Sequence, residues 1–349
     1  MATQTYLSPQ GRINKLKGEI IAHAVPVEVL GITGMQKRMP AKSGSTVVFR
    51  RWLPFGATTA DANTINRWSI APGALSHLTQ EGVTPPADTL TPQDIEATLQ
   101  QYSCLYAVTD KNVDLYEDDV PAEMKKQTGE RIGLVREMVR YGVLRGGTNK
   151  FYGGTGSSRA TVNGRITLAL LRKITRGLRA NHAQRITSVL AASPDFATAP
   201  VEAGYLVFAH TDCENDIRDL PNFKETSEYA QRRVINEHEL GSCENYRFIL
   251  SPELASYADA GAAVGSTGLY STGGSNIDVY PVIVVGEDAW GQVALRGVNS
   301  IDVSWIPPGQ KDKNDPLGQR GYVGAKTYFT SVILNQGWMA VAEVGVKSL

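Results

Sequence analysis

The chain lacks long apolar runs. Its 349 residues contain no stretch of eighteen, the length a helix needs to cross a bilayer, so no membrane partner is expected. The opening residues, MATQTYLSPQGRINK, lack the apolar core of a signal peptide, which argues against export. Cysteine is scarce. Cys104, Cys213 and Cys243 are odd in number and far apart, so neither a disulfide framework nor a zinc knuckle is expected, and the thiols are read as reduced. Catalytic signatures are scarce as well: there is no Gly-x-Ser-x-Gly elbow, dinucleotide fingerprint or EF-hand loop. No internal repeat is visible. A chain this long with so few catalytic signals reads as a non-enzyme, and no residue set points to a metal or a cofactor.

What is present is a globular composition, 42% apolar and 20% charged, in a chain long enough for two or more domains. The zero net charge hides blocks of alternating sign. Residues 1–51 carry eight Lys/Arg and two Asp/Glu, a net +6, and residues 52–120 carry two and ten, a net −8. Residues 121–190 carry fourteen and three, a net +11, and residues 191–349 carry eleven and twenty, a net −9. Such blocks fit surfaces that meet opposite surfaces, within the chain or between copies; exposed faces that merely differ in charge fit equally well.

The organising stretch is Pro121–Gly146. Met124, Thr128, Ile132, Val135, Met138, Val139 and Val143 recur at helical steps, with Lys125, Lys126, Arg131, Arg136, Glu137 and Arg140 between them. Pro121 suits a first turn, Asp118 and Asp119 suit the positive end, and Gly146-Gly147 supplies a stop. At ~1.5 Å per residue the helix is roughly 39 Å long, enough to act as a spine.

Before the spine, residues 1–45 read as an extended basic arm with one short helix near Ile13–His23 and no core of its own. STVVFRRWLPF from Ser45 and IEATLQQYSCLYAVTD at Ile95–Asp110 read as strands. The roughly forty residues between them, dense in Ala, Thr, Asn, Gly and Pro, predict a projecting two-stranded ribbon that must lie on something else, since isolated hairpins are marginal. After the spine come a Gly/Ser-rich turn, an amphipathic helix at Ile166–Asn181, and a linker marked by Pro194 and Pro200. Residues 201–319 read as an α/β unit. Its strands are expected at Tyr205–Ala209, Tyr246–Leu250, Tyr280–Gly286 and Ser300–Ile306, and its helices at Asp212–Leu220 and Glu253–Ala260, with Ser251 as N-cap. Gly265–Asn276 reads as a mobile loop. Strands at Tyr322–Phe329, Ser331–Leu334 and Trp338–Val344 are expected to return to the spine.

Several local patterns have weak chemical readings. His238-Glu239 resembles the start of a zincin motif, but Ser242 stands where the second histidine belongs. Gly153–Ser158 (GGTGSS) is better read as a turn than as a phosphate cradle. His210, Asp212 and Cys213 follow a strand, where α/β enzymes often carry catalysis. They leave open a soluble α/β hydrolase or transferase using His210 and Cys213. The basic segment 121–190 can touch phosphates without reading sequence, and it lacks stacking aromatics and a helix-turn-helix.

Two blocks resemble the major capsid proteins of tailed phages in the N-four-like coat family. One is DPLGQRGYVGAKTYFTSVILNQGWMAVAEV at 315–344. The other is TVVFRRWLPF at 46–55 followed by LTQEGVTPPADTLTPQDIEATLQQYS at 78–103. Their order and spacing, with the long helix between, extend the resemblance over most of 46–344. It implies an α+β chain with the Hong Kong-97 type phage capsid fold. Residues 1–44 become the N-terminal arm and 45–118 the extended β-hairpin loop. Residues 119–200 and 320–349 become the peripheral domain, with the spine at 121–146, and 201–319 the axial domain. The implied function is structural: hexamers and pentamers self-assembled into an icosahedral shell around double-stranded DNA, in a virion built in the host cytoplasm. The resemblance leaves room for scaffolding, portal or decoration proteins, and for an encapsulin-like cellular compartment shell, which shares the fold.

In this fold one subunit's loop lies across its neighbour's peripheral domain. The charge blocks then predict contacts of Asp88, Asp94, Glu96, Asp110 and Asp114 with Lys125, Lys126, Arg131, Arg136 and Arg140, strongest at low salt. Some members of the wider fold are cross-linked through a lysine–asparagine isopeptide. Lys111 is the only lysine of residues 45–118, and no covalent mesh is expected.

Overall fold

The computed structural model describes residues 26–40, 42, 44–53, 78–84, 90–116, 119–186, 203–229, 234–265, 267–295, 301–311 and 313–349. The arm helix expected at Ile13–His23 and the Pro194–Pro200 linker lie outside them.

A short helix, α1 (Asp110–Leu115), leads into the spine, α2 (Val120–Leu144). Asp119 caps α2, its side chain accepting the Ala122 N–H at 3.1 Å, and Pro121 occupies the first turn, where a missing N–H costs nothing. At the far end the N–H groups of Gly146 and Gly147 donate to the carbonyls of Val143 and Leu144. The buried stripe begins as the periodicity predicts, at Met124, Thr128 and Ile132. It then passes through Gly133, Arg136, Glu137 and Arg140 before ending on Tyr141 and Leu144. Val135, Met138, Val139 and Val143, expected in the core, are only half-buried. Arg136, Glu137 and Arg140 therefore belong to the interior and not to the outer face.

The spine lies on a five-stranded sheet made of β1 (Met35–Met39), β4 (Gln100–Thr109), β11 (Trp290–Leu295), β12 (Asp302–Ile306) and β13 (Arg320–Ile333). The fourteen residues of β13 organise it. One edge pairs antiparallel with all of β4, from Arg320↔Thr109 to Phe329↔Gln100. The other edge is shared by β12, against its first half, and β11, against its second. β1 adds to β11 in parallel. Ile132 packs with Cys104 and Ala325, and Met124 with Val108 and Val323, which seats α2 on one face of the sheet. The two strands expected within residues 322–334 are thus one continuous strand.

A second, seven-stranded sheet runs in the order β5 (Lys150–Tyr152), β14 (Met339–Val344), β10 (Tyr280–Val285), β6 (Tyr205–Ala209), β9 (Tyr246–Leu250), β8 (Glu239–Cys243) and β7 (Phe223–Glu225). β6, β9, β10 and β14 are buried at every residue, as mainly apolar runs covered on both faces require. The two charges among them, Arg247 of β9 and Glu343 of β14, are paired with Glu239 and Arg159. On one face, helix α3 (Leu168–Ala180) inserts Leu170, Leu171, Ile174 and Leu178, beside Ile217 of α4 (Glu214–Arg218). On the other, Leu144 of the spine, Trp290 and the arm residues Val29 and Leu30 close the core. The two sheets interleave segments far apart in sequence. β12 crosses to the spine's sheet, while β14, expected against the spine, lies in the seven-stranded one.

Strands β2 (Thr46–Trp52) and β3 (Pro92–Thr98) pair antiparallel as the expected ribbon, in register from Thr46↔Thr98 to Trp52↔Pro92. Its inner face, Val47, Phe49 and Ala97, rests on Met39 and Val293.

Two expectations fail for a shared reason. No helix forms at Glu253–Ala260. The Ser251 hydroxyl accepts the Glu253 N–H as an N-cap would, but the Tyr257 and Gly261 N–H groups donate to Val279 and Ile277. Bridges along 277–279 therefore take the donors a helix would need. The Gly265–Asn276 loop is likewise pinned: Ser271 donates to Asp259, and the Tyr270 N–H donates to Val346 at 2.7 Å. The arm is also less detached than its composition predicts, since Val29 and Leu30 are fully buried.

Candidate subunit interface

Alternation along the ribbon leaves one face outward: Thr46, Val48, Arg50 and Trp52 on β2, and Asp94 and Glu96 on β3. Arg50 and Asp94 face each other across the strands and form a fork, Nε to Oδ1 at 2.7 Å and Nη2 to Oδ2 at 2.8 Å. The hydrogen bond from Arg50 holds the Asp94 carboxyl below the usual carboxylate range. Val48 and Trp52 flank the fork, and Trp52 is 60% exposed.

A second group of exposed apolar side chains lies on the face of the five-stranded sheet turned away from the spine, beside the Lys326–Asp302 ion pair. Leu105 opposes Gly324, and Ile306 opposes Tyr322. Together with Tyr328, Leu105 and Ile306 leave large side chains in solvent; Leu105 is 46% exposed. Grouped exposed apolar side chains, unlike single ones, mark a face that another surface can cover. Neither patch follows from charge counting. The signal available in sequence was the alternation of TVVFRRW and SCLYAV, which places Val48, Trp52 and Leu105 opposite to core-facing neighbours.

The charged residues expected at the interface divide into groups. Asp88 lies outside the described residues. Asp94 is engaged by Arg50, and Glu96 is exposed on the ribbon. Asp110 and Asp114 sit on α1, just before the spine, so they belong to the same body as the basic helix and not to the projecting ribbon. Lys125, Lys126 and Arg131 are exposed on the spine, with Lys125 over the Trp305 ring and Arg131 over the Tyr106 ring. Arg136 and Arg140 are corrected: both are buried and stack on Phe329, each 5.1 Å from its ring centroid. Arg140 also donates to Glu137 at 3.0 Å and to Gln292 at 3.0 Å.

The enzyme reading names Cys213 as its nucleophile, and that thiol is not accessible. Cys213 is buried in the core, and burial with nearby Asp216 and Asp212 pushes its thiol up, away from the thiolate. His210 Nδ1 accepts the Asp212 N–H, and the Asp212 carboxylate accepts Tyr280 OH at 2.7 Å. These contacts fasten a turn. Glu239, the zincin-like glutamate, is a buried acceptor for Tyr229 OH at 2.8 Å and the Ile235 N–H at 2.6 Å. Gly153–Ser158 is a turn in which Thr155 N–H donates to Asn163. Gly153 approaches Gly164 so closely that a Cβ would lie 2.3 Å from the Gly164 oxygen. No described helix is long and apolar enough to cross a membrane.

No family model matches the chain. By sequence it is 21% identical over 268 residues to the major capsid protein of Pseudomonas phage KPP21, a match covering 71% of this chain and 67% of that one. By structure it superposes on the capsid of Ralstonia phage GP4 with a TM-score of 0.66 at 12% identity, covering 99% of both chains. The head of Helicobacter pylori bacteriophage KHP40 gives 0.60 at 11% identity, over 97% of this chain and 96% of that one. The cyanophage Pam1 capsid gives 0.57 at 12% identity over 100% of both. The chain has the α+β fold of tailed-phage capsid proteins, of the Hong Kong-97 type.

Proposed function

We propose that the chain is the major capsid protein of a tailed phage of N-four-like type, and that its copies build the hexamers and pentamers of an icosahedral shell around double-stranded DNA. The observation that carries this is the superposition on a phage capsid over 99% of both chains. On this reading the ribbon β2–β3 is the extended loop. The spine with its five-stranded sheet is the peripheral domain, and the seven-stranded sheet forms the axial domain.

The ribbon of one copy lies on the outward sheet face of the next, Val48 and Trp52 against Leu105, Ile306 and Tyr328. Magnitudes favour these contacts over the charge pairs. Fully burying one large apolar side chain is worth about 1.5–3 kcal/mol, whereas an exposed ion pair contributes about 0–1 kcal/mol. Glu96 against Lys125, Lys126 or Arg131 of a neighbour therefore adjusts orientation and approach rather than strength. The role is structural and non-enzymatic, exercised in the virion. Electron microscopy of the purified chain is the direct test. Shells or five- and six-fold capsomers are expected, and a protein that stays monomeric at high concentration overturns the proposal.

A further inference from the structure

From Met138 to Pro194 the chain runs fifty-seven residues without an Asp or Glu while carrying ten Lys or Arg. With 35 acids in 349 residues, a stretch of that length at the average would hold about six. The fold uses most of these cations internally. Arg140 meets Glu137; Lys150 and Arg159 meet Glu343; Arg165 meets Asp216; and Arg172 meets Glu244 at 2.6 Å. Arg145 stacks on Tyr141 and Tyr257.

Lys173, Arg176 and Arg179 are different. They stand exposed on the outer face of α3, with no ion-pair partner among the described residues. Arg179 in the last turn is favoured by the helix dipole, but Lys173 and Arg176, mid-helix, are not. The rest of that face is Ala169, Arg172 and Ala180. The core of a protein–protein interface is enriched in aromatic side chains, and this face carries none. A phosphate backbone needs only cations. Three of them over about 9 Å of helix reach neighbouring phosphates of one strand.

We propose that Lys173, Arg176 and Arg179 form a sequence-independent contact with the phosphate backbone of double-stranded DNA, so that the α3 side of the subunit faces the packaged genome. This rests on the capsid reading for its biological setting, but not for its chemistry. The test is fluorescence anisotropy of a labelled 20-base-pair duplex titrated with the full-length unassembled chain between 50 and 200 mM salt. Substituting all three residues by Gln (K173Q, R176Q, R179Q) should reduce the slope of log affinity against log salt by about 2.7, at about 0.9 for each phosphate no longer neutralised. R176Q alone should remove about one third of that. Removing three exposed charges elsewhere, by Gln at Lys311, Arg320 and Lys326, should leave the slope unchanged.

An unchanged slope in the triple variant overturns the proposal, as does an equal fall in the control variant. Competition by polyglutamate as strong, charge for charge, as by DNA also overturns it, since an acidic protein would then serve equally. Microscopy of the wild-type chain separates the two readings. Absence of shells sinks the capsid assignment, whereas the salt slope reports on α3 alone.

Discussion

The buried carboxylate of Glu137, midway along the spine, accepts the backbone N–H of Val29 at 2.8 Å across 108 residues of sequence. Its Oε1 also accepts the Leu30 N–H at 2.6 Å, and its Oε2 accepts Arg140 at 3.0 Å. One side chain thus fastens the end of the arm to the spine and neutralises a buried guanidinium. Glu137→Ala removes the nearest carboxylate from that guanidinium and leaves two backbone donors unpaired, a cost of about 3–5 kcal/mol. Glu137→Gln keeps one acceptor oxygen and should cost less. Chemical denaturation gives the ranking, and limited proteolysis should cut near residue 30 faster in the Ala variant. Equal stability of the two variants contradicts the clasp.

Glu343 provides a pH test. Burial alone pushes its carboxyl up, but hydrogen bonds from Arg159 and Lys150 outweigh burial and hold it below the ordinary 4.5. A carboxyl lowered by folding adds stability that is complete above its unfolded value and is lost as pH falls through its folded one. Melting temperature should therefore fall on acidification below about pH 4.5, and part of that fall should vanish in Glu343→Gln. The variant should also be less stable at neutral pH, because Arg159 and Lys150 lose their common partner. An acid limb identical in both proteins removes Glu343 from the account.

The spine, the ribbon and the buried strands were legible because each follows from periodicity or from a mainly apolar run. Met124, Thr128 and Ile132 face inward as helical spacing requires, and β6, β9 and β10 occupy the expected residues. Legibility ended where long-range partners override local pattern. Arg136 and Arg140 read as solvated cations, and Glu137, Glu28, Gln292 and the Phe329 ring, brought together by folding, make their burial tolerable. The absence of a helix at 253–260 likewise depends on bonds to Val279 and Ile277 that no local window contains. For the proposed interface, net charge over blocks is too coarse a measure. It merged Asp110 and Asp114 on α1 with Asp94 on the ribbon, and it passed over Val48, Trp52 and Leu105.

Trp52 separates assembly from folding. Its side chain is exposed in the subunit, so Trp52→Ser should leave the melting of the unassembled chain within about 0.5 kcal/mol of wild type. If it is covered by a neighbour, the same change removes about 2 kcal/mol from each interface and raises the concentration needed for assembly more than tenfold. Sedimentation against protein concentration measures this. Glu96→Lys should act in the same assay by less than tenfold, and its effect should fade as salt is raised, because exposed charges are screened over about 10 Å at 0.1 M. Normal assembly of Trp52→Ser shows that the ribbon's apolar face does not carry the association.

Gly34 joins the arm to β1 with φ of +101°, and a Cβ there would fall 2.7 Å from the Trp290 ring. Trp290 has no room to yield: it is fully buried, and its Nε1–H donates to Thr33 Oγ1 at 3.1 Å. Gly34→Ala therefore meets two penalties, about 1–2 kcal/mol for the left-handed backbone and about 1–3 kcal/mol for overpacking. Gly82 isolates the first, since its φ is +77° and no atom lies within 4 Å of where a Cβ would stand. Gly82→Ala should cost about 1–2 kcal/mol at most, and Gly34→Ala measurably more. Denaturant midpoints of the two variants give the difference directly. Equal midpoints would mean that Trp290 moves aside at no cost.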